Sequence, residues 1–456
     1  MKKAICVLFA AVLMLTPLFG VRAGAVNYNQ YIEKFHSDCY ILICTDNDQI
    51  LFSKDINKQT KPASLTKIVT ASVILGEIRD LKQTYTIPTE ALDELAGTGS
   101  STAGLRVGET YTIYDLLCCL LIPSANDAAT ALATFLTGSD RQAFVDKMNK
   151  LCETLECENT HFTNVHGLDD EDQYTSAFDM TKIMRNALKY PEFKEITSMT
   201  QYTLPESNMQ QERLIRTTNN TLNPTYKDYY NKFIDAGKTG FTNGAGHCLA
   251  VHAGNNGYNY IAVAMNGVKE DFDEDGYDEN GAFFDVRQML DWAFKNLRLV
   301  SIADAAKIVA EVPVRFGKGA DYITLCPSGN EASLLPASVS AGSLLVKAIK
   351  DTMPDHVTAP VKKGDVICKG EVYYADDVIA TIDLVAANDV KRSVLSFLGT
   401  LIVNIFSSSA FKLIVILLLG VLITLIVMRR KGLLQAKKKE YKVVDYNDYF
   451  DKKSQK

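Results

Sequence analysis

Pro62-Ala63-Ser64-Leu65-Thr66-Lys67 is the stretch from which the rest of the chain can be read. Proline is favoured at the first position of a helix, so a helix is expected from Pro62 through Lys67, Ile68, Ala71 and Ile74. Residues three apart on a helix share a face, which sets the Lys67 amine beside the Ser64 hydroxyl. A serine hydroxyl is a poor nucleophile until a neighbouring base takes its proton. Lysine can be that base once burial or a second cation lowers its pKa. The spacing carries little weight alone, because Ser409-Ala410-Phe411-Lys412 repeats it near the other end of the chain.

Two further motifs follow. Ser124-Ala125-Asn126 places a hydroxyl that can pass a proton to a departing amine beside an amide that can hold lysines and a substrate amide. Ser328-Gly329-Asn330 matches this pattern but comes after the third motif. That motif, Lys238-Thr239-Gly240, occurs once, after a strand-like stretch over 233–235, and leads into Phe241-Thr242. Gly240 has no side chain, so a substrate strand can lie alongside. Lys238 brings positive charge towards Ser124, and the Thr239 hydroxyl can bond a carboxylate. The three motifs stand in order at a helix start, an inter-helix loop and a strand, the settings that a serine acyl-transfer site needs.

The surrounding elements point to an α+β fold. Short apolar strands over 40–44 and 50–52 flank the turn Thr45-Asp46-Asn47-Asp48 and read as a hairpin. Helical stretches are expected over 113–136 and 141–155, the second with Phe144, Met148, Leu151 and Leu155 at helical spacing. Strands follow over 248–252 and 260–265, then a helix over 283–297. Helices bracketing a few antiparallel strands give a catalytic domain over 26–297. After Ser301 the texture changes to short β-rich runs separated by turns, which reads as a small all-β domain over 298–390.

Both ends carry membrane signals. Met1-Lys2-Lys3, an apolar run over 4–19 and Ala23-Gly24-Ala25 read as a secretory leader over 1–25. Residues 413–428 carry no charge and form the core of an expected transmembrane helix, behind a juxtamembrane segment over 391–412. Arg429-Arg430-Lys431 and Lys437-Lys438-Lys439 follow, and positive flanks stay in the cytoplasm. A single-pass membrane protein is therefore expected, with its bulk outside and a tail over 429–456 inside. The 456 residues suit two domains, and a net charge of −6 gives no basic footprint for nucleic acid.

With the three motifs in place, the chain resembles the serine-type D-Ala-D-Ala carboxypeptidases, the low-molecular-weight penicillin-binding proteins. The likeness rests on residues 62–67, on Ser124-Ala125-Asn126-Asp127-Ala128-Ala129, on 160–168, and on Lys238-Thr239-Gly240-Phe241-Thr242 with Ala245-Gly246. Family members often have glycine where Ala125 stands, and Ala236-Gly237 fills a place usually held by a hydrophobic-Gly pair. Ala359-Pro360-Val361 and Asp383-Leu384-Val385 resemble the family's C-terminal β domain. The resemblance implies a transpeptidase-type domain, an antiparallel sheet with helices on both sides. It implies Ser64 as acylated nucleophile, Lys67 as general base and Ser124 as proton relay. Lys238, Asn126, Thr239, Gly240 and Phe241 would bind substrate, the backbone N–H groups of Ser64 and Phe241 would form the oxyanion hole, and Arg287 would meet the terminal carboxylate. Peptidoglycan stem peptides are the implied substrates and β-lactams the implied inhibitors.

Other readings are weaker. Two rivals share the pocket: a β-lactamase, for which no Glu-x-x-Leu-Asn run is present to activate water, and a non-catalytic sensor, for which the tail is short. No cofactor or metal is expected. His247 and His252 face opposite ways on a strand, and the acidic run 271–276 has Ala282 where a calcium loop needs its last glutamate. Cys118 and Cys119 read as small buried hydrophobes. Cys152 and Cys157, five apart on one expected helix, do not share a face, and no disulfide is expected.

Overall fold

From Cys39 to Cys44 the chain has no polar alternation, the pattern of a strand covered on both faces. In the computed structural model this run lies in strand β1 (Ser37–Cys44). The structure describes residues 28–95, 97–255, 257–272, 276–329, 332–374 and 377–438. The expected leader and the end of the tail lie outside them.

β1 pairs antiparallel with β2 (Ile50–Lys54), the expected hairpin. Strands β3 (Ile234–Thr242), β4 (Gly246–Asn255) and β5 (Tyr258–Gly267) form a meander whose last strand pairs with β1. The sheet order is β2-β1-β5-β4-β3, so β3 lies at an edge.

Alternate residues of β1 serve opposite cores. Ile41 and Ile43, with Ile261 and Val263 of β5, pack against helices α1 (Thr66–Glu77), α2 (Ile113–Leu121), α3 (Asn126–Thr137), α4 (Arg141–Thr154), α5 (Ala177–Ala187) and α6 (Pro191–Ser198). Leu42 and Ala262 face the other way, onto Val286, Met289 and Leu290 of α7 (Gly281–Asn296). Helices thus cover both faces. Every residue of α1 from Thr66 to Leu75 is buried, as expected of a central helix without a polar stripe.

One expected element is broken in two. The helix predicted over 113–136 is interrupted between α2 and α3. Pro123 lacks an N–H and its ring clashes with the preceding turn, so α2 stops. Ser124 then turns the chain at φ 64°, in the left-handed region that non-glycine residues seldom occupy. The break sits on the second motif.

After α7, Leu297–Ser301 pairs with Ala332–Pro336, and Leu344–Ala348 pairs with Val366–Tyr374. Separately, Ala310–Arg315 lies antiparallel to Tyr322–Pro327 and parallel to Val357–Thr358. Among the described residues, this part of the chain is built of strands joined by turns and single 3-10 turns. Among the described residues two compact units emerge: one takes residues 28–307 with Pro327–Lys350 and Lys369–Leu384, the other Ile308–Cys326, Asp351–Cys368 and residues 385–438. In the second unit, helices α8 (Val394–Ser407) and α9 (Ser409–Lys438) follow. Within α9, Ser409–Gly432 is a stretch of 24 residues with an uncharged core over 413–428. At about 1.5 Å per residue that is long enough for a hydrocarbon core of roughly 30 Å.

Candidate active site

Ser64 stands in the 3-10 turn Ala63–Leu65, which runs directly into α1. Ala63 is held at φ 46°. Two glycines allow neighbouring segments to close on this turn. A Cβ on Gly167, at φ 93°, would lie 1.9 Å from the Ala63 carbonyl oxygen; one on Gly240 would lie 3.1 Å from the Ser64 nitrogen. The edge strand β3 therefore passes against the backbone of the serine itself.

The Lys67 Nζ has three partners: Ser64 Oγ at 2.8 Å, Asn126 Oδ1 at 2.6 Å and the His166 carbonyl at 2.6 Å. Burial, reinforced by Lys238, holds this amine well below the ordinary lysine range, against an opposing pull from Asp127. A neutral amine has two N–H bonds and one lone pair. The amide and peptide oxygens can only accept, so they take the two N–H bonds. The lone pair is left facing the Ser64 hydroxyl, which is the arrangement a base needs to remove that proton.

A second amine sits opposite. The Lys238 Nζ donates to Ser124 Oγ at 2.7 Å and to the Thr239 carbonyl at 2.8 Å. Burial lowers its pKa to about 7. Two buried amines in one site titrate as a linked pair, each resisting the other's charge.

The supporting segments are fixed by their own polar groups. Asp127 accepts from the N–H groups of Ala103, Leu105 and Ala128 at 2.9–3.0 Å, and Asn126 N–H donates to the Ser101 carbonyl at 2.8 Å. This ties the 101–105 segment to the start of α3. On the other side, Asn164 Oδ1 accepts from Gly167 N–H at 2.7 Å, and Asn149 of α4 exchanges two hydrogen bonds with Phe162. These contacts aim the His166 carbonyl at Lys67. A cavity of about 500 Å³ opens above the serine, lined by Ser64, Ser101, Ser124, Asn126, Thr239, Gly240 and Phe241 among others.

Residues 26–269 match the family model described as D-alanyl-D-alanine carboxypeptidase. The chain belongs to this family. Residues 301–392 match the C-terminal domain of penicillin-binding protein 5. D-alanyl-D-alanine carboxypeptidase DacF of Bacillus subtilis is 30% identical over 395 residues, 86% of this chain and 96% of that protein. DacD of Escherichia coli is 29% identical over 378 residues, 81% of this chain and 91% of that one. Among solved structures, penicillin-binding protein 5 of Haemophilus influenzae superposes with a TM-score of 0.61 at 26% identity, covering 79% of this chain and 99% of that one.

In this carboxypeptidase the residues of all three motifs converge, but Arg287 does not join them. It lies on α7 beside Asp291, its Nε donating to that carboxylate at 3.2 Å one turn further on. It borders a different hollow with Tyr31, Phe284 and Trp292. Its partner in the fold is an ion pair along its own helix. Conversely, several cavity residues escaped the sequence. Thr218 shares a hydroxyl hydrogen bond with Thr239. His247 stacks on Phe241 at 4.5 Å between ring centres and has Asn280 Nδ2 2.9 Å from its Nδ1. His166 acts through its carbonyl, which any residue carries, so its identity gave no signal. Among the described residues no cluster of three or more potential metal ligands occurs. The acidic run 271–276 falls partly outside those residues.

Proposed function

We propose that the site cleaves the bond between the two terminal D-alanines of a peptidoglycan stem peptide, through an acyl-enzyme on Ser64. The Ser64 proton passes to Lys67 as Oγ bonds to the carbonyl carbon. Backbone N–H groups of Ser64 and Phe241 receive the oxyanion; one such donor is worth about 3–4 kcal/mol. Ser124, polarised by Lys238, gives a proton to the departing nitrogen, and D-alanine leaves. Lys67 passes the proton it took from Ser64 on to Ser124, which leaves the amine neutral again. Water then attacks the ester and gives a proton to Lys67, and Lys67 returns it to Ser64 Oγ as the ester bond breaks. Asn126 holds the substrate amide, and the edge of β3 at Gly240 lets the peptide lie as an added strand. Thr239, with Thr218 against it, takes the terminal carboxylate, and Lys238 supplies positive charge beside it.

The observation that carries this reading is the set of three partners around Lys67, which leaves its lone pair directed at Ser64. A β-lactam would acylate the same serine and persist. The apolar helix Ser409–Gly432 would anchor the chain once, with the catalytic domain over 26–297 and the β domain over 298–390 outside, and the basic tail inside. The test is incubation of the purified protein with a pentapeptide ending in D-Ala-D-Ala, and separately with a fluorescent penicillin. Release of D-alanine that vanishes in Ser64→Ala supports the proposal. Rapid loss of label with hydrolysed drug would instead mean a β-lactamase, and lasting label without peptide turnover a sensor.

A further inference from the structure

Helix α4 does not continue to Cys157. Leu155 caps it, and Glu156 stands at φ 57°. The Glu156 N–H donates to the Glu153 carbonyl at 3.0 Å, and the Cys157 N–H donates to the Cys152 carbonyl at 2.9 Å. These are the two bonds of a Schellman turn, a motif that also brings together the side chains of the residues joined by the longer bond. Here both are cysteine. Expected on different faces of one helix, they meet because the helix stops and Glu156 turns the chain back. The neighbouring Cys157 thiol, hydrogen-bonded to Cys152, and burial together push the Cys152 thiol up. Cys152 is buried, whereas Cys157 is half-buried, its thiol 4.0 Å from the Asp179 carbonyl.

We propose that Cys152 and Cys157 are a redox-active dithiol that closes to a disulfide and clamps the root of the loop carrying His166. The chain leaves Cys157, is held to α4 by the Asn149–Phe162 pair, and four residues later presents the His166 carbonyl to Lys67. Neither cysteine lines the cavity, so closure stiffens the support of the site without filling it. The oxidant is a disulfide, such as oxidised glutathione or an extracellular thiol oxidoreductase. The half-buried Cys157 thiolate, the more accessible of the two, attacks one of its sulfurs and expels the other as a thiol. Cys152 thiolate then attacks the Cys157 sulfur of the mixed disulfide and expels the second thiol. Two electrons pass to the oxidant, and the two cysteine protons end on its thiols.

The test equilibrates the detergent-solubilised full chain with glutathione buffers of graded ratio. The samples are quenched in acid, unfolded, alkylated and digested with trypsin. Residues 151–182 leave as one peptide containing only these two cysteines. In oxidising buffer this peptide is expected to be lighter by two hydrogens and unalkylated, while Cys118, Cys119 and Cys248 take the label. The thermal unfolding midpoint is expected to rise on oxidation in the wild type and to stay put in Cys157→Ser. In Cys152→Ser, glutathione should remain attached at Cys157, with no resolving thiol to remove it. Full alkylation of 151–182 at every ratio, pairing of Cys157 with another cysteine, or an unchanged midpoint on oxidation overturns the proposal. The outcome does not depend on the substrate, so it stands or falls apart from the peptidase reading.

Discussion

Two Ser-x-x-Lys tetrads in one chain meet opposite fates. Lys67 is 0% exposed and touches Ser64, Asn126 and the His166 carbonyl. Lys412, in the same spacing after Ser409, is exposed at the start of the apolar helix Ser409–Lys438. Helical spacing brings amine and hydroxyl to one face in either case. What differs is the supply of groups from elsewhere. Three segments far apart in sequence, around 126, 166 and 238, surround the first tetrad, remove its water and fix the direction of its lone pair. Catalytic potential thus lies in the enclosure, and the spacing only makes it possible.

The largest expected contrast is between the serines. Ser64→Ala should cut D-alanine release by at least ~10³-fold and abolish β-lactam labelling, while Ser409→Ala should leave both unchanged. Steady-state kinetics on the two variants checks this. Next comes the enclosure. Gly167→Ala would force a methyl against the Ala63 carbonyl at a φ that disfavours side chains. A loss of roughly 2–4 kcal/mol in urea unfolding is expected, with slower acylation in the protein that still folds.

A milder change sharpens the electrostatics. Lys238 loses its charge as pH rises through about 7, so activity that needs that charge should fall above this value. Arginine does not deprotonate in this range, so Lys238→Arg should shift the alkaline limb of the kcat/KM profile upward, with no more than about tenfold loss at the optimum. Thr218→Val removes one hydroxyl from beside Thr239; a three- to tenfold rise in KM with little change in kcat is expected, the size of about one hydrogen bond. Smallest of all, Lys412→Ala should leave turnover in detergent unchanged.

Much of this arrangement was legible from the chain. The hairpin of β1 and β2, the periodic helix α4 and the three motifs follow from local patterns. The unread parts are those where no side chain advertises the role. Residues over 113–136 are apolar enough for one helix, and only Pro123 hinted at the break that turns Ser124 into the site. The third partner of Lys67 is a backbone carbonyl. Arg287 fitted a family position but finds Asp291 one turn away, a contact that spacing of four on a helix already allows. Cys152 and Cys157 were separated by a helix assumed to run one turn too far, since a left-handed Glu156 leaves no strong signal in composition.

The central claim is that Lys67 is neutral at working pH and takes the Ser64 proton. It is tested most directly by the rate constant for acylation of Ser64 by a penicillin, measured against pH. Below its pKa the amine is protonated and its lone pair is gone, so the rate should fall as pH falls. Because burial lowers that pKa, the acid limb should lie well below the ordinary lysine range, and it should vanish with the residual rate of Lys67→Ala. A rate that climbs only as pH approaches the ordinary lysine value near ~10.4, or an acid limb retained in Lys67→Ala, would contradict it.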